Sequence, residues 1–130
     1  MSQEFETTFL RLRAILQEHA GSFSVKPDKP GQYGLYAKVG PATLQAWGGK
    51  LKNPMMPIAW VKTGKAYVSY HLMGMYGNTR LLNSMSGKLK ARMQGKTCFN
   101  FRNIDDKLFE ELGQLTVQSI ASFRKAGYML

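Results

Sequence analysis

His71 is the side chain in this sequence that we consider first for chemistry. It lies in the stretch KAYVSYHLM, two residues after Ser69 and four after Tyr67. Its imidazole can act as a general base, contact a ligand or form structural hydrogen bonds. A general base needs an orienting carboxylate, and the nearest one in sequence is Asp105. We therefore predict no catalytic residues and expect His71 to supply pH-sensitive polarity to a binding site.

Gly95, Lys96 and Thr97 form the end of a nucleotide-loop pattern, but the pattern is incomplete. A phosphate-binding loop requires a glycine five residues before the Gly-Lys-Thr triplet, and it leads into a helix. Here Lys90 occupies the position of the first glycine, and the residues after Thr97 have the composition of a strand. The spacing excludes a nucleotide loop of this type.

Metal-binding residue types are sparse in this sequence. It has two histidines, His19 and His71, and one cysteine, Cys98, without the spacings that pre-align zinc ligands. Met73 and Met75 follow His71, but methionine commonly fills irregular core or pocket surface. We expect neither a metal site nor a cofactor.

Positive charge is concentrated in the middle of the chain. The formal net charge is +10, and residues 29–104 contain twelve Lys or Arg and no Asp or Glu. Such a segment either forms a solvated surface or attracts phosphates, acidic proteins or nucleic acid. The charge distribution favours an anionic partner without identifying it.

The leading hypothesis is a non-catalytic binding module for a small anionic ligand or an acidic protein partner. In this hypothesis cationic side chains provide the positive charge that attracts the ligand, and aromatic rings form the walls of the binding pocket. The candidate ligand-binding residues are Trp60, Lys62, Tyr67, Ser69, His71, Arg80, Lys96, Asn100 and Arg102.

A single-stranded nucleic-acid binder is the alternative hypothesis. It would need a basic groove with exposed aromatic rings on which bases stack. The candidate aromatic residues are Trp47, Trp60, Tyr67, Tyr70 and Tyr76, and they interleave with Lys50, Lys52, Lys62, Lys65 and Arg80. The oligomeric state is not indicated by the sequence.

Helices are predicted near both ends of the chain. Apolar residues recur at helical spacing from Phe5 to Leu16 and again from Leu108 to Phe123. A third, short helix is predicted from Ser86, which can cap its first turn, to Gly95, with Leu89 and Met93 on its apolar face.

The segments between the helices have the composition of strands. The predicted strands are GQYGLYAKVG, TLQAWGG, PIAWVKTGKAYVSYHLM with a hairpin at KTGK, and KTCFNFRN. Alternation assigns Val68, Tyr70, Leu72, Phe99 and Phe101 to the core. We predict one α+β domain over residues 1–130, with an antiparallel sheet of about five strands packed against N-terminal and C-terminal helices. The sequence lacks a secretion signal or an apolar membrane span, so we expect a cytoplasmic protein.

Residues 54–127 resemble the YdhG-like family of small bacterial domains of unknown function. The shared features are the Gly64-Lys65 hairpin turn, the strand ending at His71, the Gly95-Lys96 entry into the strand of Phe99 and Phe101, and the closing helix. The resemblance implies a compact cytoplasmic α+β domain in a bacterium. The family includes a member treated as a frataxin-like iron chaperone, so it also implies iron delivery as a third hypothesis. Iron carriage needs clustered carboxylates, and the one cluster here is Asp105, Asp106, Glu110 and Glu111.

Overall fold

The computed structural model of the chain describes residues 3–46, 48–49 and 55–130. Two long helices, α1 (Gln3–Gln17) and α5 (Asp106–Lys125), confirm the predicted terminal helices. Helix α5 begins after Asp105, whose carboxylate accepts a hydrogen bond of 3.1 Å from the Leu108 amide. This cap satisfies one of the free backbone donors of the first turn.

Within the described residues, six strands form one antiparallel sheet, which confirms the predicted α+β class with one strand more than expected. The strand order is β1-β2-β3-β4-β6-β5, with β1 Ser24–Lys29, β2 Gln32–Lys38, β3 Met55–Thr63, β4 Val68–Leu72, β5 Met93–Gln94 and β6 Cys98–Phe101. The sequence did not predict β1 or β5, the two edge strands. Strand β1 contains Pro27, which an edge strand tolerates because one side of its backbone needs no ladder bonds.

The segment TLQAWGG was predicted as a strand, and this prediction is wrong. Residues Pro41–Ala46 form helix α2 instead, while Trp47 lies outside the described residues. Proline favours the first helical position because its fixed backbone angle is already helical. Thr43 holds the helix in place by donating a hydrogen bond of 2.7 Å to the Tyr128 carbonyl.

The predicted short helix is correct at its start and wrong at its end. Ser86 caps α4 (Gly87–Lys90), accepting a hydrogen bond of 3.2 Å from the Leu89 amide. Met93 lies in β5, opposite Phe99, and Gly95 has a φ of +77° in the turn between β5 and β6. Gly95, with its left-handed backbone conformation, therefore forms the turn of the β5–β6 hairpin. The pairing of β5 with β6 takes the place of the last helical turn that was predicted.

The core lies between one face of the sheet and helices α1 and α5, while α3 (Thr79–Ser84) and α4 pack near α5. The predicted core residues Val68, Tyr70, Leu72, Phe99 and Phe101 are all buried. The Phe101 and Phe109 rings meet edge to face with centroids 5.0 Å apart, and the Tyr70 hydroxyl lies 2.6 Å from Thr116 Oγ1. Tyr70 is 0% exposed, so its assignment as a base-stacking residue is wrong.

Candidate ligand-binding face

The side of the sheet opposite the helices carries half-buried and exposed side chains, and we call it the open face. Strand pairing arranges these side chains in two rows, because antiparallel register places residues of adjacent strands directly opposite one another. The first row is Gly34, Trp60, His71 and Cys98, and the second is Gln32, Lys62, Ser69 and Asn100.

Trp60 lies between a ring-bearing neighbour and a glycine in the first row. On the β4 side, its indole stacks on the His71 imidazole, with ring centroids 4.5 Å apart and planes inclined by 11°. On the β2 side, the residue opposite is Gly34, which has no side chain. The indole is therefore supported by His71 on one side and lines a cavity on the other.

A bulge in β1 forms the far wall of this cavity. Between the pairs Val25–Leu35 and Asp28–Tyr33, β1 has Lys26 and Pro27 where β2 has only Gly34. A Cβ atom at Gly34 would lie 2.7 Å from the Lys26 carbonyl oxygen, so the two backbones approach closely because residue 34 is glycine.

We call this cavity the tryptophan slot. Its volume is about 250 Å³. Its lining includes the rings of Pro27, Tyr36, Pro57 and Trp60 together with Lys26 and Lys62, and it contains no carboxylate. This combination of apolar walls with two cations suits a flat, negatively charged ligand.

His71 and Cys98 form a close but uncharged pair beside the slot. The Cys98 Sγ atom lies 3.7 Å from His71 Nε2, and it donates a hydrogen bond of 3.3 Å to Asn100 Oδ1. Burial lowers the pKa of His71. Burial also raises the pKa of the Cys98 thiol, against a smaller opposite effect of its hydrogen bond with Ser69. Both groups are mainly neutral at pH 7, and a neutral thiol is a poor nucleophile.

A second cavity of about 430 Å³ lies on the open face at the β5–β6 edge. Its polar lining comes from Tyr67, Arg92, Gln94, Asn100 and Arg102. Gln94 Oε1 accepts hydrogen bonds from the Tyr67 hydroxyl at 3.2 Å and from Asn100 Nδ2 at 2.7 Å. We call this cavity the arginine cavity, and its lining also lacks a carboxylate.

The structure brings together seven of the nine predicted site residues. Those on the open face or at its edge are Trp60, Lys62, Tyr67, Ser69, His71, Asn100 and Arg102. Arg80 lines a different cavity, beside α5, and Lys96 Nζ lies 5.3 Å from the centre of the Tyr76 ring. These two cations lie apart from the tryptophan slot. Lys50 and Lys52 lie outside the described residues.

Several lining residues were missed by the sequence reasoning. They are Lys26, Pro27, Gly34, Tyr36 and Pro57 in the slot, and Arg92 and Gln94 in the arginine cavity. Alternation in QYGLYAK would have placed Gly34 and Tyr36 on one face, since Tyr33, Leu35 and Ala37 are its buried set. The residues of β1 and β5 had no such pattern, because both strands are short or largely exposed.

The carboxylates of the predicted acidic cluster mostly have structural partners. Asp105 caps α5, Asp106 forms an ion pair with Arg11, and Glu111 accepts hydrogen bonds from the Ser86 amide and hydroxyl. Among residues 3–46, 48–49 and 55–130, no group of three or more His, Cys, Asp or Glu side chains is placed to hold a metal ion. None of the helices in these ranges combines the length and apolar character needed to cross a bilayer.

Comparison of the chain with protein-family models, with curated proteins and with solved structures found no match. The resemblance to the YdhG-like family therefore stays a prediction from sequence motifs.

Proposed function

We propose that this protein is a non-catalytic binding module, and that its tryptophan slot holds a small anionic ligand with a planar ring. The observation that carries this proposal is the position of Trp60, which stacks on His71 and, together with Gly34, lines the tryptophan slot.

The stack with His71 makes Trp60 a suitable wall for a flat ligand. An aromatic ring whose orientation is already held loses little conformational freedom when a ligand binds, so more of the contact energy appears as affinity. Stacking of a base on an aromatic side chain contributes about 1–3 kcal/mol. The tryptophan slot of about 250 Å³ is small, which suits a single ring system with a short charged group.

The two lysines of the slot account for the preference for an anion. Lys26 and Lys62 lie on β1 and β3, the strands that flank β2, and Lys62 is exposed. Neither amino group has an ion-pair partner among the described residues. Both are therefore available to a phosphate or a carboxylate.

A thermal-shift titration with three probes tests the proposal. Adenosine 5′-monophosphate has a ring and a charge, adenosine has only the ring, and ribose 5-phosphate has the charge without an aromatic ring. We expect the monophosphate to raise the Tm by about 5 °C at ten times its Kd, and each of the other two to raise it less. Equal shifts with all three, or no shift with any, would contradict the proposal.

Matched variants locate the binding site. Trp60→Ala and Lys62→Gln should each reduce the monophosphate-induced shift, measured from the variant's own Tm. Tyr76→Ala and Lys107→Gln serve as controls, because Tyr76 is 65% exposed away from the slot and Lys107 lies on α5. If the controls reduce the shift as much as the slot variants do, the ligand binds elsewhere.

A further inference from the structure

The two cavities of the open face belong to one continuous surface. The second row, Gln32, Lys62, Ser69 and Asn100, runs from the tryptophan slot to the arginine cavity without a break in pairing. From β2 to β6 this row crosses three strand spacings, a distance of about 15 Å. This distance equals the length of about four stacked nucleotides, so it is longer than a single nucleotide in the stack.

Every charged side chain that lines the two cavities is positive. Lys26 and Lys62 lie at one end, and Arg92 and Arg102 lie at the other. Both arginines are exposed, and neither has an ion-pair partner in the described part of the chain. Their guanidinium groups can each bind a phosphate with two parallel hydrogen bonds.

The surface between these cations offers aromatic and amide groups. Trp60 lies towards one end and Tyr67 at the other, and both are half-buried. Gln94 uses its Oε1 atom for Tyr67 and Asn100, whereas its Nε2 group makes no hydrogen bond within the described residues. Amide groups can bind the Watson–Crick edges of unpaired bases, and aromatic rings can stack on them.

Building on the proposed function, we infer that the ligand of the open face is a single-stranded nucleic acid. Its strand crosses β2, β3, β4 and β6, with one base in the tryptophan slot and two phosphates further along the strand, one bound by Arg92 and one by Arg102. A duplex does not fit this description, because its paired and stacked bases cannot insert beside Trp60. An acidic protein would use the cations but would leave the stacking surface of Trp60 unused.

Fluorescence anisotropy with a labelled single-stranded DNA 12-mer tests this inference in the full chain. We expect the 12-mer to bind at least about tenfold more tightly than adenosine 5′-monophosphate at the same salt concentration, because it reaches both cavities. The double variant R92Q/R102Q should weaken 12-mer binding and reduce the salt slope by about 1.4, since each phosphate contact on a single strand contributes about 0.7. The same variant should weaken monophosphate binding much less, because the tryptophan slot is lined by Lys26 and Lys62 and by neither arginine.

The control is the double variant K107Q/K125Q, which removes the same charge from exposed residues of α5. It should have a much smaller effect on the salt slope. Competition with an unlabelled duplex of the same sequence and with polyaspartate completes the test, and neither should displace the 12-mer at equal charge concentration.

The outcomes separate this inference from the proposed function. If the monophosphate binds in a Trp60-dependent way while the 12-mer binds no more tightly, the tryptophan slot is a small-ligand site and the nucleic-acid inference is overturned. An unchanged slope in R92Q/R102Q, or displacement by the duplex or by polyaspartate, overturns it as well. If neither the monophosphate nor the 12-mer binds, both the proposed function and the nucleic-acid inference are overturned.

Discussion

The Trp60 indole and the His71 imidazole stack across β3 and β4 with ring centroids 4.5 Å apart. The two residues are directly opposite each other in the strand register. Cross-strand pairs of this kind stabilise a sheet by up to about 1 kcal/mol. The same contact orients the indole that lines the tryptophan slot, so it links the stability of the sheet to the shape of the candidate site.

The free energy of unfolding should fall on acidification because of His71. Burial lowers the pKa of His71 in the folded state, whereas the unfolded chain has the ordinary value. Below about pH 6.5 the unfolded state therefore binds more protons, and stability is lost as the pH falls through the folded pKa. Urea unfolding at pH 7.5 and pH 5.5 should show a smaller loss in His71→Gln than in the wild-type protein. An equal loss in both would mean that His71 is not the responsible group.

Gly34→Ala should destabilise the protein and close the tryptophan slot. The new Cβ atom would lie 2.7 Å from the Lys26 carbonyl oxygen and 3.3 Å from Trp60 Cβ, so the β1 bulge must move. We expect a loss of about 1–3 kcal/mol in urea unfolding, as is usual for overpacking. Gly21→Ala is the control, because a Cβ atom there meets nothing within 4 Å. Similar stability of the two variants would contradict the close approach of β1 and β2.

Tyr70→Phe should cost stability without affecting the open face. Thr116 Oγ1 donates a hydrogen bond to the Leu112 carbonyl, so the Tyr70 hydroxyl is the donor in its 2.6 Å contact with Thr116. Removal of this buried donor should lower the free energy of unfolding by about 1–2 kcal/mol. Tyr76→Phe removes a hydroxyl from a side chain that is 65% exposed and should change stability little. Unfolding of both variants in guanidinium chloride measures the difference. A larger loss of stability in Tyr76→Phe than in Tyr70→Phe would contradict the prediction.

Ser86→Ala should loosen α4 from α5. The Ser86 hydroxyl caps α4 by accepting from the Leu89 amide at 3.2 Å, and it donates to Glu111 Oε1 at 2.6 Å. Loss of a helix cap costs about 1 kcal/mol, and hydrogen exchange of the Leu89 amide should become faster. Ser22→Ala, at an exposed residue, is the matched control. Unchanged exchange at Leu89 would show that the cap does not hold the helix.

The strand predictions succeeded where side chains alternate between a buried and an open face. Val68, Tyr70 and Leu72 face the helices while Ser69 and His71 face outwards, and this pattern is visible in the residue types alone. The prediction failed at residues 41–46, where Leu44, Gln45 and Ala46 are good helix formers and Thr43 is the one β-branched residue. Pro41 at the first helical position and the Thr43 hydrogen bond to the distant Tyr128 carbonyl add to this helix preference.

The amino-acid sequence by itself determined the α+β class, the two terminal helices, the central hairpin and most of the residues on the open face. These properties depend on alternation and helical periodicity, which are local along the chain. Only the tertiary structure decided that Gly34 lies opposite Trp60, that the β1 bulge forms the far wall of the tryptophan slot, and that Arg80 lies apart from this slot. Strand order and register are set by contacts between residues distant in sequence, so the spacing of residue types along the chain does not encode them.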